Sequence, residues 1–167
     1  MSGEILDPSA EARRDLPGLR PGLEALDVTL NKVVVNVANR MQTDVGSLYL
    51  LEPNRDSLLL AATVGLLQSC VGNLRMQFSE GLVGLVAQQR APVVLPHAPE
   101  HVRFKYFPEA DEDEYQSFLG VPITDSDQLQ GVLVVQTIEP RLFTADDCRE
   151  LAREADLLGP MLRRHTV

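Results

Sequence analysis

The sequence predicts an α+β fold in which helices cover one face of an antiparallel sheet. Apolar residues recur at three- and four-residue steps near both ends of the chain, a pattern typical of amphipathic helices. Between those ends, turn signals join short apolar runs in pairs, which predicts antiparallel hairpins. The helical segments are too few to supply the crossovers of a doubly wound parallel sheet.

One domain is expected, because 167 residues provide chain for one ordinary hydrophobic core. Residues 1–21 contain three prolines and no sustained apolar period, so we expect a flexible proline-rich arm there. The domain itself is predicted over residues 22–164. Hydrophobic residues make up 44% of the chain and charged residues 23%, which is typical of a folded protein and unlike a disordered one.

The first predicted elements are one helix and three strands. Val45–Leu51 and Leu58–Ala62 are predicted to form a hairpin, because the turn signal Pro53–Asp56 separates them. Alternation of polar and apolar residues predicts a half-buried strand over Asn73–Phe78. The helix is predicted to begin at Gly22, with apolar residues on one face: Leu23, Leu26, Leu30, Val33, Val34, Val37 and Met41.

The middle of the chain is predicted to form a short helix, a short strand and a long connection. We expect Ser79 to cap a helix that runs to Gln89. Prolines bound the apolar run Val93–Leu95, which predicts a strand. The segment Pro96–Tyr115 shows no strong period, so we expect an irregular loop.

A second hairpin and a final helix complete the predicted fold. Ser117–Ile123 and Gly131–Thr137 flank a polar turn signal, which predicts the hairpin. Thr144 and Asp147 have the spacing of a capping box, and apolar residues follow at helical spacing. The pair Gly159–Pro160 is expected to kink or end this last helix.

Charge and cysteine content exclude some classes of partner. The formal net charge is −9, so most surfaces of the protein repel the phosphates of nucleic acids and anionic lipids. We recognise no secretory signal, membrane span or basic amphipathic stretch. Two isolated cysteines give neither a disulfide framework nor a zinc site. We therefore expect a cytoplasmic protein that binds neither nucleic acid nor membrane.

Three segments carry a resemblance to a known family. Ser79–Ala87 resembles the central motif of GAF domains, and Phe118–Ile123 with Gly131–Gln136 resembles their closing hairpin. The resemblance implies the GAF fold, which is PAS-like. In that fold a central antiparallel sheet of five or six strands carries the N- and C-terminal helices on one face. Loops and a short helix cover the other face.

A narrower resemblance rests on Glu100–Pro108 and Glu114–Ser117. These residues are similar to the N-terminal GAF domain of the nitrogen-related phosphoenolpyruvate-protein phosphotransferase, and the likeness extends over roughly Gly22–Arg164. Members of that family continue into a phosphohistidine domain and a phosphoenolpyruvate-binding barrel. The resemblance therefore implies a non-catalytic regulatory domain in nitrogen or amino-acid sensing, with a catalytic phosphotransferase domain as a partner.

The long loop is the predicted ligand site. Long irregular loops often serve as binding lids, and Arg103 offers a bidentate fork to a carboxylate. Given the resemblance, the expected ligand is a small molecule of the amino acid or 2-oxoacid class between loop and sheet. The alternative is a solvated charged loop that binds nothing. The residues expected to contact the ligand are His101, Arg103, Tyr106, Tyr115 and Ser117.

No metal, cofactor or catalytic residue is predicted. His97 and His101 are four residues apart, but Pro99 lies between them in predicted loop, so helical alignment on a metal is not expected. The free methionine sulfoxide reductases, a GAF subgroup, use cysteines near the central motif and before the closing hairpin. A reductase is therefore the less favoured alternative, because this chain has no cysteine at those places: Gly84, Leu85, Gln116 and Ser117.

The N-terminal helix also suggests an interface. Its apolar stripe approximates the seam of a helical bundle, so we expect a homodimer through the terminal helices. Burial of the same stripe within one subunit is the alternative. A GAF module that only dimerises or docks is then the second candidate function. The seam residues are Leu23, Leu26, Leu30, Val33 and Val37.

Overall fold

The computed structural model describes residues 23–53, 56–107 and 115–165, and the predicted arm, residues 1–21, lies outside them. Within these ranges the elements follow one another in the predicted order. The helices are α1 (Leu23–Met41), α2 (Gly81–Gln89) and α3 (Ala145–His165). The strands are β1 (Val45–Leu51), β2 (Ser57–Val64), β3 (Arg75–Gln77), β4 (Val93–Leu95), β5 (Ser117–Asp125) and β6 (Gln128–Thr137). Short 3-10 turns lie at Gln68–Cys70 and Ala98–Glu100.

The strands form one six-stranded sheet in the order β3-β2-β1-β6-β5-β4. Every neighbouring pair is antiparallel. Both predicted hairpins, β1 with β2 and β5 with β6, are present, and the pairing of β1 with β6 joins them in the centre of the sheet. The predicted α+β fold with an antiparallel sheet is confirmed.

One side of the sheet, which we call the helix face, is covered by α1 and α3. Leu30 and Val34 of α1 and Leu151 of α3 are fully buried against apolar strand residues such as Leu133. The two helices also meet each other, because Arg40 forms ion pairs with two carboxylates of α3: Glu150 and Glu154. The helix face is thus a closed apolar layer.

The other side, which we call the loop face, is covered by α2 and by the connections around the two 3-10 turns. Its buried cluster includes Tyr49 and Leu60 from the sheet, Val86 from α2 and Phe107 from the long loop. The two faces therefore differ in kind. Long helices close one of them, and one short helix with irregular segments closes the other, as the resemblance implies.

The helix ends match the sequence in one case and differ in two. The capping box of α3 is confirmed, since the Thr144 N–H donates to Asp147 and the Asp147 N–H donates to Thr144 Oγ1. The expected cap at Ser79 is wrong: α2 begins after Glu80, whose side chain makes no cap bond. The expected break at Pro160 is also wrong, because α3 continues through it to the end of the described chain.

The apolar stripe of α1 is used inside the subunit. Leu26, Leu30 and Val37 are buried in the helix-face cluster, and Val33 packs against it. This burial within one chain is the alternative that the sequence left open for the seam. The side chain of Leu23 lies outside the described set.

Candidate functional site

Two hydroxyl groups lie at core depth on the loop face. Ser47 of β1 and Thr63 of β2 pair directly across the two strands. Both are buried, and their hydroxyl oxygens are 2.9 Å apart. Thr63 also donates to the carbonyl of Gly46 at 3.3 Å. The floor of this face therefore contains polar groups among otherwise apolar side chains.

Tyr115 crosses one end of the sheet above this floor. It precedes β5, yet its hydroxyl donates to the carbonyl of Gly65, directly after β2, at 3.0 Å. Since β6 and β1 lie between β5 and β2, this bond links the segment before β5 with the turn after β2 at one end of the sheet. The Gln68 amide donates to the Thr63 carbonyl at 2.7 Å and holds the first 3-10 turn beside them. These contacts enclose the region around Thr63.

Arg103 fastens the long loop to the segment that carries α2. One terminal nitrogen, Nη2, donates to the Phe78 carbonyl at 2.9 Å, and the other, Nη1, donates to Gln88 at 2.9 Å. Its Nε is sealed from solvent and has no partner among the described residues. The guanidinium group of Arg103, which was expected to bind a carboxylate, thus fastens the loop to the α2 segment in this structure.

Lys105 makes a second attachment of the same loop. Its ammonium group bonds to Glu80, immediately before α2, and lies 5.1 Å from the ring centre of Phe107. The bond from Lys105 and then that from the Gln77 N–H hold the pKa of Glu80 below its usual range. Both cationic side chains of the loop therefore point to the α2 region.

The five predicted ligand residues do not converge on one point. Arg103 and Tyr115 cover the loop face, as described above. His101 Nδ1 accepts the backbone N–H of Arg103 at 3.0 Å and so stabilises a turn within the loop. Tyr106 is 47% exposed. Ligand contact by these four residues stays a prediction.

Ser117 occupies a different position. It is fully buried, and strand alternation places it on the face opposite to its neighbour Phe118, which belongs to the loop-face cluster. Its hydroxyl bonds to the hydroxyl of Thr137 and accepts the Thr137 N–H at 3.0 Å. The geometry gives Ser117 a role in holding β5 to β6, and its ligand contact has no support here.

The two cysteines lie on opposite faces of the sheet. Cys70 is buried in the loop-face cluster, whereas Cys148 of α3 packs against the helix-face cluster. Both thiols are free. Burial, with a smaller contribution from the Asp147 carboxylate, raises the pKa of the Cys148 thiol. The pair therefore cannot act as a reactive and a resolving cysteine in this fold.

The described residues contain no cluster of three or more His, Cys, Asp or Glu side chains that could hold a metal ion. Among the helices in those ranges, none is both long and apolar enough to span a bilayer.

Sequence reasoning missed the polar floor of the loop face. Ser47 and Thr63 stand in apolar strand segments, where a buried hydroxyl requires a partner. The presence of a hydroxyl residue within an apolar strand segment was the signal that could have revealed these two positions. Assigning it to the loop face required the strand register, which the sequence does not reveal.

A family model described as GAF domain matches residues 25–159. A phosphoenolpyruvate-dependent phosphotransferase system protein of Salmonella typhimurium is 37% identical over 142 residues, which cover 85% of this chain and 19% of that protein. The chain therefore spans about a fifth of the length of this curated relative.

Solved structures agree with this relationship. The GAF domain of a phosphoenolpyruvate-protein phosphotransferase from Coxiella burnetii superposes with a TM-score of 0.79 at 32% identity, covering 93% of this chain and 88% of that one. The corresponding domain from Acinetobacter gives 0.76 at 32% identity, with 96% of each chain covered. A free methionine-R-sulfoxide reductase from Thermoplasma acidophilum superposes with a TM-score of 0.73 at 20% identity, covering 86% of this chain and 96% of that one. At this identity the likeness shows a shared fold alone. The chain belongs to the GAF domain family and is related to the GAF domains of phosphoenolpyruvate-dependent phosphotransferases.

Proposed function

We propose that this GAF domain is a non-catalytic sensor that binds a small polar molecule between the loop face and the segment from Pro96 to Gln116. The related phosphotransferase proteins favour control of a phosphoenolpyruvate-dependent phosphotransferase domain in the cytoplasm. The resemblance to the nitrogen-related branch favours an amino acid or a 2-oxoacid as the ligand. Binding would then report nitrogen supply.

The observation that carries this proposal is the construction of the loop face. Ser47 and Thr63 place hydroxyls at core depth. Beside the short helix α2, the cover of that face is the long loop, which is fixed by the side-chain bonds of Arg103, Lys105 and Tyr115 and by the buried Phe107. Segments held in this way open at low cost, and ligand-binding lids are drawn from such segments. A ligand can therefore enter without disturbing the helix face.

Thermal-shift and calorimetric screens of free amino acids, 2-oxoacids and nucleotides test the proposal. A ligand that binds the folded state raises the free energy of unfolding by about 2.7 kcal/mol at a concentration of 100 Kd, so the shift must grow with concentration. An amino acid or 2-oxoacid is the expected hit. If every compound leaves the melting temperature and the heat signal unchanged at millimolar concentration, the sensing function is wrong.

A docking or homodimerisation module is the second candidate, because the outer surface of α1 carries an apolar groove. Val28 and Val35 are 53% and 40% exposed there, and polar residues flank them: Asn31, Lys32 and Asn36. Light scattering of the wild type and of Val35→Asp tests this function. A dimer that the substitution converts to a monomer supports it, with Val102→Asp, an exposed site outside the terminal helices, as control. A wild type that stays monomeric at high concentration contradicts homodimerisation.

A free methionine sulfoxide reductase is not favoured, because Cys70 and Cys148 are separated by the sheet. We expect the wild type to reduce free methionine sulfoxide no faster than a blank reaction. Measurable reduction that Cys70→Ser abolishes would reinstate the enzyme.

A further inference from the structure

One buried polar side chain differs from all the others in the described chain. Six polar residues are buried, and five of them use their side chains in hydrogen bonds: Ser47, Ser57, Thr63, Ser117 and Thr137. Gln136 is 8% exposed, and its side-chain amide has no hydrogen-bond partner anywhere in the described ranges. A largely buried carboxamide without a protein partner bonds to water or to a ligand.

The amide of Gln136 lies on the loop face. Its neighbours across the two adjacent strands are Val45 and Phe118, and both belong to the loop-face cluster. Among the described side chains, only Arg103 Nε is both unpartnered and fully sealed from solvent, so the Gln136 amide retains some access. The unpaired donor and acceptor are therefore within reach of a molecule that enters this face.

The position of Gln136 coincides with the enclosed end of the floor. It is the penultimate residue of β6, and the bond between Tyr115 and Gly65 lies at this end of the sheet. The Ser47 and Thr63 hydroxyl pair lies on the same face, two residues further along β1 than Val45. The side chains of Ser47, Thr63 and Gln136, all of them uncharged, thus lie near the end of the loop face that Tyr115 covers.

We propose that Gln136 contacts the ligand of the sensing site and determines which ligands are accepted. The inference rests on the sensing function proposed above. A carboxamide both donates and accepts, so it pairs with an uncharged ligand group that does the same, such as a hydroxyl or an amide. A carboxylate at this position would be desolvated without a countercharge on the floor, which is costly. Any charged end of the ligand therefore points away from Gln136.

Ligand-free stability gives the first test, with Gln136→Met as the variant. Methionine fills nearly the same volume and removes the unpaired amide, so we expect the melting temperature without ligand to rise by about 2–4 °C. The control is Gln130→Met on the same strand, about 20 Å away, where the amide already bonds to the Gln128 carbonyl. A Gln136→Met melting temperature several degrees below that of the wild type would overturn the proposal, because the amide would then support the fold.

Binding gives the second test, with the amino acids and 2-oxoacids of the screen as probes. Compounds that bind the wild type should bind Gln136→Met at least tenfold more weakly, and Gln130→Met should match the wild type. Equal affinity of the wild type and Gln136→Met overturns the role of Gln136 and leaves the sensing function intact. If the wild type binds none of the probes, the sensing function fails and the role of Gln136 fails with it.

Discussion

Substitution of Gly84 by alanine tests how closely α2 must approach the strand before it. A methyl group at this position would lie 2.5 Å from the Gln77 carbonyl oxygen and 2.9 Å from that of Phe78. Carbon atoms in favourable contact are about 3.5–4.0 Å from their neighbours. Both obstacles are backbone atoms, which cannot rotate away, so the helix itself must move.

Two opposing effects determine how much Gly84→Ala changes the free energy of unfolding. In an unhindered helix, alanine is more favourable than glycine by about 1 kcal/mol. Overpacking a tight contact costs about 1–3 kcal/mol, and a clash with two carbonyl groups belongs at the upper end of that range. We therefore expect Gly84→Ala to lower the free energy of unfolding by roughly 2 kcal/mol, which corresponds to a melting temperature about 4–8 °C lower.

Thermal and urea denaturation measure this effect. Gln89→Ala is the matched control, because Gln89 is exposed on the same helix and its replacement should change the stability by less than about 0.5 kcal/mol. The shift of α2 should also weaken the bonds that Arg103 makes to Phe78 and Gln88. A Gly84→Ala domain as stable as the wild type would refute the reasoning, since α2 would then tolerate a wider separation.

Three further substitutions test the loop attachments and the last helix. Arg103→Met should speed hydrogen exchange of the backbone amides in residues 96–107 several-fold, because both bonds from Arg103 to the α2 segment are lost. Glu80→Gln should cost about 0–1 kcal/mol at pH 7 in urea denaturation, since the Lys105 pair is partly exposed. The lowered pKa of Glu80 makes its contribution complete above the unfolded pKa and absent once the pH falls below the folded one, so the stabilities of the wild type and Glu80→Gln should converge as the pH is lowered. Thr144→Ala should cost about 1 kcal/mol in the same assay, because the α3 cap is lost.

Local patterns predicted the elements well because their causes are local. The capping box of α3 depends on two side chains three residues apart, and β1 was predicted with its observed limits, Val45–Leu51. The break expected at Pro160 failed for a tertiary reason. The carbonyl that loses its partner belongs to Asp156, which is exposed and can bond to water, while Gly159 packs so closely on the Thr124 carbonyl that a methyl group would lie 2.2 Å from it.

The candidate site was harder to predict because it depends on which face each strand residue occupies. Ser117 was expected to contact the ligand, yet strand alternation places its side chain on the helix face. Gln136 follows an apolar run in the sequence, and nothing local indicates that its amide lacks a partner among the described residues. Arg103 was expected to bind a carboxylate, but the carbonyl it contacts belongs to Phe78, 25 residues away in sequence. Such contacts follow from tertiary register and not from spacing.

Close backbone contacts on the helix face bear on where we propose that the ligand binds. On the helix face, α1 approaches β1 so closely that a methyl group on Gly46 would lie 2.6 Å from the Val34 carbonyl oxygen. At that point no side chain fits without separating a long helix from the sheet. On the loop face, the long loop is fastened beside α2 by the bonds of Arg103 and Lys105 and by the burial of Phe107, and releasing this one segment exposes less apolar surface than removing a long helix. The loop face is also the face on which the Gln136 amide has no hydrogen-bond partner among the described residues.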